Sequence, residues 1–216
     1  MYLRQKHKDY RLASERYNEI PLLENQRTDI PSSTLEALAR IFLRHGVQDR
    51  FQVSLLHRHD TLPSNTVMVH LRQSLEEDIC LPQELGKCEL QPCVFSWQRN
   101  EFWPIEFEEA HRSDRYMLAD NTFLAELGSF LAASNMDEVL GLSCALSVRG
   151  PWVEYIRSEG PGTIARRSLD GASPTLGIVT AWAFSLADGD IVITPETTCQ
   201  RTTVGVHAQV PVPPKK

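Results

Sequence analysis

The chain has 216 residues, 42% hydrophobic and 23% charged, which is ordinary globular usage and enough length for one sizeable core. A formal net charge of -6 repels phosphate backbones and argues against a nucleic-acid partner. No run of about 18 apolar residues occurs, so no membrane span is expected.

The segment from residue 1 to residue 9 lacks the apolar stretch of a signal peptide, so the expected location is the cytoplasm. Cys80, Cys88, Cys93, Cys144 and Cys199 are an odd count in a reducing compartment and do not form a disulfide framework by pattern.

Residues 3–20 are polar with sparse apolar positions, which predicts a surface helix. A stretch punctuated by Pro21 and Pro31 follows. Ser33 precedes Glu36 with the spacing of a capping box. Leu35, Leu38, Ile41 and Phe42 then make one helical stripe, and Gly46 stands where a C-terminal cap belongs, so a helix is predicted over 34–45. The period changes at Phe51, Val53 and Leu55, which alternate with Gln52 and Ser54 as in a half-buried strand. Turn-forming residues fill 60–65, and 66–71 reads as a returning strand, giving an antiparallel hairpin.

Residues 74–91 are acidic and broken by Pro82 and Gly86, which suggests an exposed loop. A short strand is predicted over 93–97. The segment 102–107 is aromatic-rich and contains Pro104. Phe123, Leu124, Leu127, Phe130 and Leu131 mark an amphipathic helix over 121–133. Segments 139–147 and 152–156 flank Arg149-Gly150-Pro151 as a second hairpin. Residues 159–174 read as a Gly/Pro/Ser loop. Residues 176–186 are almost continuously apolar, as in a central strand. Asp188-Gly189 is a hairpin turn leading to 191–194. A last strand is expected over 202–210, with a disordered tail at 211–216. These elements predict a single α+β domain over 1–210, helical to about residue 46. Its sheet is expected to be antiparallel and strongly curved, with helices packed against it.

His57 and His59 are two apart, so on a strand they share a face. Without a bulge, that face also carries Phe51, Val53 and Leu55. His-x-His is a ligand spacing for zinc, iron or copper, with His70 and His207 as further candidate ligands. Neither HExxH nor a CxxC pair accompanies it, and a strand-end histidine also serves simply to finish a core. Cys199 and His207 could form a nucleophile–base pair, set against a buried thiol and a surface imidazole. Glu154 alternates with Trp152 and Ile156; it is either an inward acid–base group or a rim residue paired with Arg157 or Arg166. Glu106 sits in a similar context. Phe51, Trp97, Trp103, Trp152 and Trp182 are core residues that would bind an apolar small molecule if they lined one cavity.

Three further stretches join Leu55-Leu56-His57-Arg58-His59: Val94-Phe95-Ser96-Trp97 with Pro104-Ile105-Glu106-Phe107; Val139-Leu140-Gly141-Leu142; and the late Trp182, Cys199 and His207. Together, over residues 34–210, this pattern resembles a group of small filamentous-fungal His-x-His proteins, some encoded near secondary-metabolite genes. That group carries an aromatic residue where this chain has Asp60. The resemblance implies a biosynthetic setting. The expected function is a cofactor-independent cyclase, isomerase or lyase, including a pericyclase of the Diels–Alder kind, acting on an apolar metabolite. His57, His59 and Glu154 would be its catalytic residues. The rivals are a metalloenzyme holding a divalent ion through the histidines, and a non-catalytic binding or scaffold protein. The sequence permits a homodimer.

Overall fold

The computed structural model describes residues 9–86, 89–109, 120–145, 150–168 and 177–200. Among the described residues, ten strands close a barrel. They are β1 (Phe51–Leu55), β2 (Thr66–Arg72), β3 (Glu77–Glu84), β4 (Leu90–Gln98), β5 (Glu101–Glu109), β6 (Leu140–Cys144), β7 (Trp152–Ile156), β8 (Thr163–Arg167), β9 (Gly177–Ala187) and β10 (Asp190–Gln200). Their order around the wall is β1-β6-β4-β5-β2-β3-β8-β7-β10-β9, and β9 pairs back to β1. The described residues also contain three α-helices: α1 (Ala13–Glu19), α2 (Ser32–Arg44) and α3 (Asn121–Ala133).

The expected α+β arrangement of a curved antiparallel sheet is therefore corrected. The sheet closes on itself, and β2 runs parallel to β5 while β7 runs parallel to β10. Closure pairs both sides of the wall and removes exposed strand edges. Neither predicted early hairpin forms. The neighbours of β1 are β6 and β9, those of β2 are β3 and β5, and β7 lies between β8 and β10. The β9–β10 hairpin does form, with Asp188 and Gly189 both left-handed at φ 53° and 90°, as a tight two-residue turn requires.

Two predicted loops contain strands, β3 within 74–91 and β8 within 159–174. Pro82 explains the first misreading. It lies beyond Cys80, the last residue that β8 pairs, so its missing N–H faces no second ladder. Pro92, Pro104 and Pro195 obey the same rule: each is paired with one neighbouring strand, outside the stretch where a second one pairs.

The apolar core lies largely outside the wall. On β1, Phe51, Val53 and Leu55 join Leu140 and Leu142 of β6, Trp182 and Phe184 of β9, and the buried faces of α2 and α3. Phe42 and Phe123 meet edge-on at 5.2 Å within this layer. Gly128 lets α3 lie against the Trp97 indole, where a Cβ would collide. Asp120 caps α3 by accepting the Thr122 N–H at 3.1 Å. The capping box foreseen at Ser33 and Glu36 does not form. Instead α2 starts at Ser32 behind Pro31 with no side-chain cap, and Gly46 follows its end at φ 60°.

The described part of the predicted N-terminal surface helix is a 3-10 turn, Asp9–Leu12, running into α1. It is not a surface element: Ala13, Ser14, Arg16 and Tyr17 are buried, and Tyr10 and Ala13 pack on Val67, Val69 and Phe107 of the outer wall. The predicted strand at 202–210 and the tail lie outside the described residues. No helix in the described residues is long and apolar enough to cross a membrane.

Candidate metal centre

With its hydrophobic face turned to the helices, the wall presents its other face to an interior cavity of about 400 Å³. Gln52 and Ser54 of β1 point inward, as do Met68, His70 and Arg72 of β2, Glu106 and Glu108 of β5, and Trp152 and Glu154 of β7. The period of two that buries Phe51 and Val53 outside thus exposes polar groups inside. Tyr17 of α1, with Leu56, Met68 and Ile105, lines an apolar part of the cavity.

The histidine pair reaches this interior by a slip in alternation. Strand β1 ends at Leu55; the Leu56 N–H then donates to Val139 O at 2.8 Å and the Arg58 N–H to Pro21 O at 3.0 Å. His57 and His59 consequently line the cavity with Gln52 and Ser54, not the face of Phe51 and Val53 expected for an unbroken strand. The following loop is pinned by Asp60, whose Oδ2 accepts the Gly162 N–H at 2.7 Å, and by Arg58, whose Nε donates to Ile20 O at 2.7 Å.

Glu154 and Cys199 are directly paired residues on the parallel strands β7 and β10. They meet the two histidines at one point. His57 Nε2 lies 3.4 Å from Glu154 Oε2, His59 Nε2 lies 3.8 Å from Glu154 Oε1, and Cys199 Sγ lies 3.8 Å from His59 Nε2. The imidazoles stand edge to face, 4.9 Å apart at 86°. One donor atom from each of the four residues lies within 4.8 Å of the others.

The two nitrogen–oxygen separations exceed the 2.7–3.2 Å of close hydrogen bonds, and the sulfur–nitrogen contact is within the longer reach of a thiol. All three approach the edges of a tetrahedral metal shell, roughly 3.3–3.6 Å for bonds of about 2.0–2.1 Å to nitrogen or oxygen and about 2.3 Å to sulfur. The histidine tautomer also fits. His57 Nδ1 is 3.0 Å from Leu55 O, and a carbonyl can only accept, so Nδ1 carries the proton and Nε2 faces Glu154. Burial opposes charge on His57, but the hydrogen bond and charge of Glu154 outweigh it and raise its pKa. Burial likewise works against the Glu154 carboxylate, yet His57 and His59 hold its pKa well below the usual range.

A second polar group occupies β2, β3 and β5. His70 is held at both nitrogens, Nδ1 at 3.0 Å from Asp78 Oδ2 and Nε2 at 2.9 Å from Glu106 Oε2, and it faces Cys80 across the ladder. Burial disfavours its charged form, but Cys80, Cys93 and the Asp78 hydrogen bond carry its pKa well above the ordinary value. Burial pushes the Cys80 thiol up to about 12 and raises that of Cys93 strongly. The Tyr17 phenol is raised well above its usual value, first by burial and then by the charges of Glu106, Cys80, Glu154 and Asp60. It therefore stays a hydrogen-bond donor. The Ser54 and Ser143 hydroxyls, which line the cavity, are buried with no protein partner among the described residues.

Of the residues singled out in the sequence, His57, His59 and Glu154 are thus brought together, and Trp152 lines the same cavity. Arg166 pairs with Glu77 instead of Glu154. Phe51 and Trp182 lie in the outer core, Trp97 packs on Phe102 and α3, and Trp103 lies beneath the Arg16 guanidinium at 3.5 Å. His70 belongs to the second group and His207 lies outside the described residues, as does Cys88. Cys199 meets His59. Pattern reading overlooked Cys199 as a partner of the histidines, and Asp78 with Cys80 as partners of His70. The alternation of Asp78 and Cys80 with Ile79 was their available signal. Comparison of the chain with protein-family models, curated proteins and solved structures finds no match in any of the three.

Proposed function

We propose that the barrel is a metal-dependent enzyme acting on a small molecule held in its interior. His57, His59 and Glu154 bind a divalent transition metal, and Cys199 completes the donor set. The observation that carries this reading is the convergence of four donor atoms of metal-binding type within 4.8 Å of one another, at separations close to the edges of a coordination shell. The site lies in the wall of the cavity, where a substrate could reach the ion as a fifth ligand.

Held by His57, His59, Glu154 and Cys199, such an ion would supply Lewis acidity to a substrate oxygen that joined its shell. In the same cavity, the Tyr17 phenol and the Ser54 and Ser143 hydroxyls, the latter two unpartnered among the described residues, supply hydrogen bonds that orient a polar end. Leu56, Met68, Ile105 and Trp152 accommodate an apolar body. The substrate is accordingly an amphiphilic molecule with an oxygen-bearing end, and the reaction is an isomerisation or elimination. The natural-product setting implied by the sequence resemblance suits that chemistry, with a metal in place of cofactor-free polarisation.

The test is elemental analysis and equilibrium dialysis of the purified protein with zinc, iron and copper. Micromolar or tighter binding that His59→Ala abolishes at this site supports the proposal. A folded protein that retains no transition metal and binds none at micromolar concentration overturns it.

A further inference from the structure

His70, Cys80 and Glu106 come from three contiguous strands. His70 and Cys80 are direct cross-strand partners on β2 and β3, and Glu106 projects from β5 on the other side of β2. One donor atom from each lies within 4.8 Å of the other two. Ligands carried on paired strands are positioned by the sheet itself rather than by a mobile loop.

The histidine is also oriented as metal-binding histidines usually are. Its Nδ1 lies 3.0 Å from Asp78 Oδ2, which turns Nε2 towards Glu106. Asp78 is 6% exposed, and its other oxygen is buried with no hydrogen-bond partner among the described residues. Two carboxylates therefore converge on one imidazole in a buried setting.

We infer that His70, Cys80 and Glu106 form a second transition-metal site, suited by its mixed nitrogen, sulfur and oxygen donors to zinc, with Asp78 orienting the histidine. The His70–Glu106 contact is 2.9 Å, so loading opens it by about 0.4 Å to a tetrahedral edge. Three protein ligands leave the fourth position to water or substrate from the shared cavity. This site does not depend on the one at His57.

Zinc alone is the first probe, by equilibrium dialysis of the full chain. Two equivalents are expected for wild type, one for His57→Gln and one for His70→Gln. A wild type that binds one equivalent, lost in His57→Gln and kept in His70→Gln, overturns the second site and leaves the first standing. One equivalent kept in His57→Gln and lost in His70→Gln does the reverse, and no binding at all overturns both. Cobalt is the second probe and guards against misfolding. Thiolate-to-cobalt absorption in the near ultraviolet should fall by about half in Cys80→Ser, with circular dichroism unchanged. Absorption unaltered by Cys80→Ser in a folded protein refutes the assignment.

Discussion

Replacing Cys199 by serine tests the first centre at the level of its bond lengths. In a regular tetrahedron the edge is about 1.63 times the bond, so the 3.4 Å His57–Glu154 separation corresponds to bonds of about 2.1 Å. The 3.8 Å His59–Glu154 separation has to contract by about 0.4 Å on loading, and the 3.8 Å Cys199–His59 separation by about 0.2 Å. Both are within the reach of side-chain torsion. X-ray absorption of the zinc-loaded His70→Gln variant, which isolates this centre, should show nitrogen and oxygen at about 2.0–2.1 Å and one sulfur at about 2.3 Å. Adding Cys199→Ser should remove the sulfur and keep the light atoms. A shell of light atoms identical with and without Cys199 would show that the thiol is a bystander and that the spacing had been misinterpreted.

Leu142→Ala, on the outer face of the wall, should destabilise the fold by about 2–5 kcal/mol, lowering Tm by roughly 5–15 °C. Its neighbour Ser143→Ala, which removes an unpartnered hydroxyl facing inward, should leave Tm unchanged or slightly raised; equal losses in a thermal melt would refute the two-faced wall. Gly162→Ala should lower stability by at least about 1–3 kcal/mol in denaturant titration, because φ is 104° and a Cβ would strike the Cys80 carbonyl. Glu126 links α3 to α2 through His45 at 2.7 Å and Arg44, and first the His45 hydrogen bond, then the Arg44 charge, lower its pKa. A depressed carboxylate stabilises the fold above its unfolded pKa and stops doing so as it protonates. Glu126→Gln should therefore cost less than about 1 kcal/mol at pH 7, and the difference from wild type should fade as the pH drops below about 4.

Local pattern revealed the local elements. The period of 3.6 marked α3 at its observed limits, and Asp188-Gly189 marked the hairpin between β9 and β10. Closure was not legible, because the partners of β1 are β6 and β9, far along the chain, and no local signal distinguishes them from β2. Strand β3 was hidden by Pro82, which is harmless where only one neighbour pairs. For the site, two-residue spacing kept His57 and His59 together, but the slip after Leu55 moved them to the opposite face. Polar residues at alternate positions, such as His70 and Arg72 or Glu106 and Glu108, look solvent-facing in a sequence. In a closed barrel the same alternation lines the lumen.

The wall divides what keeps the protein folded from what it can bind. Phe51, Val53 and Leu142 face helices, while Gln52, Ser54 and Ser143, their immediate chain neighbours, face the cavity. Inward positions can thus be exchanged with little effect on the layer that holds the barrel shut. Such a scaffold is open to drift in ligand preference through single substitutions, and it offers a natural starting point for library selection in which the lumen is varied and the shell left intact.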